Sequence, residues 1–283
     1  MKELYFKVAE HVFVLKADMQ DDLSQYEPFL TEPTDEVAFH MEIVEDLHVT
    51  AVHEEIRQED EGQSIVVGHL DNQDAYLEFW LGKKLCSTMV ADKDYHQAKV
   101  CVKENWSFGV NNAIMVMYAL ATANCQTALF HSSVVSYQGK AYMFLGQSGT
   151  GKSTHSSLWL KYIEGTELVN DDNPVVRIID GVARVYGSPW SGKTPCYRNV
   201  VYPVGGIVKL DQAPYNEIKR LKGVKAYAVI VPSISGKRWD KKIAEGLHET
   251  ENLLVQLVPV WHLDCLPDEA AARLSCQNCA HGA

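Results

Sequence analysis

Gly146-Gln-Ser-Gly-Thr-Gly-Lys-Ser-Thr154 is the stretch on which the reading of this chain turns. Its spacing, G-x-x-x-x-G-K-[ST], is that of a phosphate-binding loop. Gly146, Gly149 and Gly151 let successive backbone N–H groups turn inward and form a nest for anionic oxygens. Gln147, Ser148, Thr150 and Thr154 complete the nucleotide-contacting run. Lys152 is placed to reach the β- and γ-phosphates, and the Ser153 hydroxyl to ligate Mg²⁺. The helix expected after the loop turns its positive end toward the phosphates.

The pattern occurs twice. Gly187, Gly192, Lys193 and Thr194 also fit it. The flanks separate the two matches. Ahead of Gly146, residues 141–145 are a short apolar and aromatic run that reads as a buried strand. Behind Lys152, residues 153–163 contain no Gly or Pro, and Leu158, Trp159 and Tyr162 fall at helical spacing. The second match contains Pro189 and is followed by Pro195. A residue before proline is pushed out of the α region, so no helix opens easily at Thr194.

The 283 residues suffice for one large domain or two smaller ones. A net charge of −11 argues against a general nucleic-acid binder or a membrane-surface binder, both of which want a basic face. No basic-then-apolar opening segment suggests a signal peptide, and no run of apolar residues is long enough to span a bilayer. Seven scattered cysteines suit reduced thiols, so a cytoplasmic protein is expected. Cys276 and Cys279, with His281 behind them, make half a metal site with no second half. Residues 276–283 therefore read as a frayed tail.

Residues 1–106 read as a β-rich region with no catalytic signature, its strands expected at 37–44, 64–68, 76–81 and 98–102. Residues 111–129 lack Pro and Gly and are apolar nearly all round, which predicts a buried helix. A nucleotide-binding domain is expected over 107–275. Its strands fall at 131–137 and 140–145 about a Gln138-Gly139 turn, then at 167–170. A second hairpin, 175–179 with 182–186, turns on Asp180-Gly181. A strand at 204–210, a helix at 249–257, a strand at 258–263 and a helix at 267–274 complete the pattern.

A phosphate loop needs carboxylate partners. Asp171 and Asp172 follow a strand shortly after the loop helix. One can bind the metal and the other can take a proton from an attacking hydroxyl. The residues alone do not divide these roles. His131, at the head of the preceding strand, can orient one of the two or tune its proton affinity.

His131-Ser, the run 146–154 and Val169-Asn-Asp-Asp172 together resemble the core of the HPr kinase/phosphorylase group, which shares its nucleotide fold with phosphoenolpyruvate carboxykinases. The resemblance covers roughly residues 111–274. It implies an α/β fold with a P-loop mixed-sheet core, richer in antiparallel pairs than the Ras-like arrangement. It also implies a Mg²⁺- and ATP-dependent kinase acting on a serine-type hydroxyl. Catalysis then falls to Lys152, Asp171, Asp172 and His131, with Ser153 and Asp171 holding Mg²⁺. Thr154 stands where the family carries an acidic residue, and no counterpart of the loop that grips HPr is present. The implied acceptor is thus a peptide, another protein or a small molecule. The segment from Gly187 to Lys193 is similar to divergent relatives, and Lys193 and Arg198 become candidate substrate cations, with Lys209 and Arg238 behind them. A homo-oligomer is expected by the same resemblance. The rivals are a non-catalytic nucleotide-binding regulatory module, a carboxykinase-like metabolic enzyme, and phosphorolysis in the reverse direction.

Overall fold

A β-strand shows alternate residues to opposite faces, and the first part of the chain is built from such strands. The computed structural model describes residues 2–17, 22–60, 62–192 and 194–282. The chain divides into two units, Met1–Thr122 and Ala123–Ala283. In the first unit the strands are β1 (Lys2–Val8), β2 (His11–Ala17), β3 (Phe39–Val44), β4 (His53–Asp60), β5 (Gln63–His69), β6 (Ala75–Leu81), β7 (Lys84–Ala91) and β8 (Gln97–Val102). They form one mixed sheet in the order β1-β2-β3-β8-β7-β6-β5-β4. Ala9 and Glu10, both left-handed, turn β1 into β2. Helix α1 (Trp106–Thr122) lies against β6, β7 and β8, with Val110, Ile114 and Met117 fully buried. Tyr118 Oη donates to Val8 O at 3.0 Å.

Two expectations shift here. Composition placed a boundary at 106/107, whereas the units part at 122/123, one helix later, because α1 packs on the first sheet. The helix expected over 111–129 stops at Thr122. Gln126 adopts a left-handed backbone that no helix continues through. Thr127–Leu129 then forms strand β9, and Thr127 has the β-branched side chain suited to a pleated surface.

The second unit holds β10 (Ser132–Tyr137), β11 (Lys140–Leu145), α2 (Lys152–Tyr162), β12 (Glu167–Asp172), β13 (Val175–Ile179), β14 (Val182–Tyr186), β15 (Val201–Gln212), β16 (Glu217–Leu221), α3 (Val224–Ile230), α4 (Lys241–Leu257), β17 (Val260–Cys265) and α5 (Glu269–Ala280). Both expected hairpins form. Gln138-Gly139 and Asp180-Gly181 all take positive φ, as a tight two-residue turn requires. The sheet order is β12-β10-β11-β15-β14-β13-β9, with β17 also on β15 and β16 on β17. The long β15 decides this layout. It runs parallel to β11 along one edge, while its other edge is shared by antiparallel β14 near its start and parallel β17 near its end. Mixed pairing follows from that sharing, so this is a mixed α/β architecture.

Helices α2 and α5 cover one face of the sheet. Val135, Tyr142, Phe144, Val208, Leu210, Trp261 and Leu263 meet Trp159, Ala272, Cys276 and Cys279 in one apolar cluster. Trp159 is wholly buried, with ring centroids 5.2 Å from Tyr142 and 5.5 Å from Phe144. Truncating such a side chain to Ala costs about 3–5 kcal/mol. The last helix reaches Ala280, so Cys276 and Cys279 are core residues of α5 rather than a loose tail. Burial pushes both thiols up, which suits apolar packing and not metal ligation.

His155 is a buried imidazole beside this core. Its Nε2 lies 2.9 Å from Ser275 Oγ, which also accepts from Trp159 Nε1. Burial lowers its pKa from 6.5 to about 4. Between those values the unfolded chain binds a proton that the folded chain refuses, so stability falls as pH drops through 6.5. The wild type should lose about 2 kcal/mol more than His155→Gln between pH 7 and pH 5. Urea unfolding curves at the two pH values measure the difference; equal losses would show that the imidazole is not held neutral.

Candidate functional site

The loop between β11 and α2 has the shape its glycines permit. Gly149 and Gly151 take φ of 76° and 107°, values that a side chain would strain. Thr150 folds back through its N–H and its hydroxyl onto Gln147 O, at 3.1 and 2.7 Å. Gly146 is needed for a second reason, since a Cβ there would press the Thr150 side chain at 3.0 Å. Helix α2 opens at Lys152 behind Gly151, with no side chain capping it. Its first N–H groups have no intrahelical partners and point toward the hollow of the loop. Ser153 and Thr154 are exposed in that first turn.

Strand register brings the acids to the loop. Asp172 pairs with Ser132 and Asp171 with Ser133 across β12 and β10, and Ser133 pairs with Phe144 across β10 and β11. The end of β12, the start of β10 and the end of β11 therefore share one sheet margin, where the loop begins. His131 stands just ahead of β10 at this margin.

A connected line of polar groups results. Lys152 Nζ donates to Gly146 O at 3.0 Å and to Gln147 O at 3.3 Å, and lies 2.9 Å from His131 Nε2. An ammonium can only donate, so Nε2 accepts and the imidazole proton sits on Nδ1. His131 Nδ1 is 3.0 Å from Asp172 Oδ1, with both side chains part-exposed. Asp172 Oδ2 accepts from Asn173 Nδ2 at 2.8 Å.

Asp171 faces the other way and is 6% exposed. Its Oδ1 accepts from Ser133 Oγ at 2.8 Å, and Ser133 Oγ lies 2.6 Å from Ser156 Oγ on α2. Both serines are 1% exposed. Among the described residues, Asp171 Oδ2 is buried without a hydrogen-bond partner. An unsatisfied buried carboxylate oxygen is costly, and a cation is the partner that would relieve it. Ser133 and Ser156 belong to no motif in the sequence; strand register and the packing of α2 bring them to Asp171.

The remaining sequence candidates go elsewhere. Arg198 donates to Leu168 O at 2.6 Å and to Glu167 Oε2 at 2.7 Å, at the start of β12, so it braces the end of the strand away from the acids. Lys193 lies outside the described residues. Lys209 pairs with Asp211 at 2.6 Å, and Arg238 with the fully buried Glu251 at 2.7 Å. The described residues of the second glycine-lysine match form no helix. Gly187 and Gly192 serve close packing instead, since a Cβ on Gly187 would strike Arg198 O and one on Gly192 would lie 2.9 Å from Asp171 O. Ser188 and Trp190 are buried there and accept from Asn170 Nδ2 through Oγ and O, at 3.1 and 3.2 Å. Among the described residues no helix is long and apolar enough to cross a membrane.

No protein-family model matches the chain. No curated protein matches it either. Among solved structures, the Hpr(Ser) kinase/phosphatase from Coxiella burnetii matches over 54% of this chain and 95% of its own, at 10% identity and a TM-score of 0.33. The likeness is distant and partial.

Asp171→Asn should leave the ligand-free protein at least as stable as the wild type, because the carboxylate it replaces has an orphaned oxygen. The same variant should lose any further stabilisation by Mg²⁺ with a non-hydrolysable ATP analogue. Thermal denaturation with and without the pair reads both effects. A less stable ligand-free variant that still responds fully to Mg²⁺ would contradict the geometry.

Proposed function

We propose that the second unit is a Mg²⁺- and ATP-dependent kinase that transfers the γ-phosphoryl group to a serine-type hydroxyl. The observation that carries this reading is the Lys152–His131–Asp172 line at 2.9 and 3.0 Å, set at the mouth of a phosphate loop beside the buried, half-satisfied Asp171. The parts match what phosphoryl transfer asks of a protein: a cradle, a cation, a metal carboxylate and a proton acceptor.

The two acids divide by environment. Asp171, with its orphaned oxygen beneath α2, fits a metal carboxylate, and Ser153 at the opening of α2 supplies a hydroxyl ligand. When bound, Mg²⁺ neutralises charge on the β- and γ-phosphate oxygens. Backbone N–H groups from Gln147 to Ser153 hold the phosphates. Lys152 leaves the carbonyls of Gly146 and Gln147 and turns to them. Asp172 is more exposed and meets His131, so it fits the group that accepts the acceptor's hydroxyl proton. The acceptor oxygen forms the new bond to the γ-phosphorus as the bond to the bridging β–γ oxygen breaks, and ADP leaves with that oxygen. His131 positions Asp172 through Nδ1–H and steadies the charge of the lysine through Nε2.

A carboxykinase-like reading calls for arginines gathered at the site to hold a substrate carboxylate. The two arginines considered from sequence, Arg198 and Arg238, are engaged elsewhere with Glu167 and Glu251. The acceptor is best sought among peptides, proteins and hydroxylated small molecules.

Labelled ATP with Mg²⁺, offered to candidate peptides and free serine and read by mass, tests the reading. Lys152→Ala should abolish transfer, with a fall in rate of at least about 100-fold and an unchanged circular dichroism spectrum. Undiminished transfer by that variant would remove the kinase assignment.

A further inference from the structure

A second cluster of metal-ligating side chains lies on the same sheet, apart from the two acids of β12. In register, Lys209 of β15 faces His262 of β17, and Asp211 faces Asp264. Across β17, Lys219 and Glu217 of β16 oppose the same two residues. Paired residues in register share a face. Val208, Leu210, Trp261 and Leu263 occupy the face under α2 and α5, so the polar set occupies the opposite one. The result is a row of three carboxylates, Asp211, Asp264 and Glu217, across three strands. Like charges directly opposed on neighbouring strands destabilise a sheet unless a cation intervenes.

Two of the three have such a cation. Lys209 Nζ holds Asp211 Oδ1 at 2.6 Å, and Lys219 Nζ holds Glu217 Oε2 at 2.8 Å. Asp264, only 22% exposed in its side chain, accepts no hydrogen bond among the described residues, and its Oδ1 is 3.8 Å from His262 Nε2. The same imidazole nitrogen lies 2.7 Å from Asp211 Oδ2. One ligand atom from each of Asp211, His262 and Asp264 falls within 4.8 Å of the other two.

We propose that Asp211, His262 and Asp264 bind a transition-metal dication of the Zn²⁺ class, at a site separate from the nucleotide's Mg²⁺. One imidazole nitrogen with two carboxylate oxygens is a three-ligand set that leaves a position open, as Zn²⁺ accepts. An imidazole ligand selects against Mg²⁺ and Ca²⁺, which favour oxygen alone. Asp211 can serve two partners at once, with Oδ2 on the metal and Oδ1 fixed by Lys209, the outer hydrogen bond that orients a ligating carboxylate. The ion would also relieve the opposed charges of Asp211 and Asp264. Its place gives it a consequence for the loop. Gln212, the residue after Asp211, donates through Nε2 to Gly149 O at 3.2 Å and Thr150 O at 3.4 Å. A metal that ties β15 to β17 therefore steadies the residue that braces the phosphate loop.

The test is a Zn²⁺ titration of the metal-free full chain, without nucleotide, in competition with a chromophoric chelator. Co²⁺ absorption serves as a second readout of ligation. The wild type should take up one equivalent at micromolar or tighter affinity. His262→Gln and Asp264→Asn should each weaken it about tenfold or more. Asp171→Asn and Cys276→Ser should keep it. Asp264→Asn breaks no hydrogen bond, so it reports on the site even where His262→Gln perturbs folding, and circular dichroism checks both. Unchanged affinity in Asp264→Asn, loss of binding in Cys276→Ser or Asp171→Asn instead, or wild-type binding only at millimolar Zn²⁺, would each overturn the proposal. None of these outcomes depends on whether the protein transfers phosphate.

Discussion

Neighbouring residues on a strand cannot share a face, and β12 ends on two acids in a row. That constraint sends Asp171 beneath α2, where Ser133 and Ser156 meet it, and sends Asp172 toward His131. Two identical side chains thereby acquire different surroundings. The arrangement is only as secure as the register of β12, because a slip of one residue would exchange the two. Asn170 holds that register. It is fully buried, donates to Ser188 Oγ and Trp190 O, and accepts from the backbone N–H of Asp172 at 2.9 Å. The segment after β14, which carries the second glycine-lysine motif, thus matters to the site as packing. Gly192 lies so close to Asp171 and Asp172 that any side chain there would press on the acids.

Local chemistry was legible in the sequence. The helix behind the glycine-rich loop, the two Gly-containing hairpin turns and the strand leading to Asp171 all rest on residues within a few positions of one another, and all formed. So did four strands of the first unit, the first marked by partial alternation over 37–44 and the others by short apolar runs between polar turns. Strand β4 was hidden because His53–Asp60 is charged on both faces, as an edge strand can be. The strand β9 was read as helix because its alanine and leucine suit either state; pairing with β13 decides it. Helices α4 and α5 extend beyond the expected segments, α4 opening behind Asp240, whose side chain caps its first N–H groups.

Long-range partners were not legible. Arg198 is a plausible phosphate ligand by type, yet its guanidinium finds Glu167 and Leu168 thirty residues back. The cluster of Asp211, His262 and Asp264 was equally invisible, because half a hundred residues separate β15 from β17 and only parallel register sets the acids opposite each other. Cys276 and Cys279 carry metal-ligand spacing, but their burial in an apolar cluster makes them packing residues.

The brace of Gln212 on the loop joins residues 63 positions apart. A ribosome therefore releases the glycine-rich segment long before it releases what supports it. Until β15 has emerged to lie beside β11, the nascent loop has neither its parallel neighbour nor its strut, and it is an open run of glycines and hydroxyls. The loop thus gains its neighbouring strand and its strut late in synthesis and from the same element.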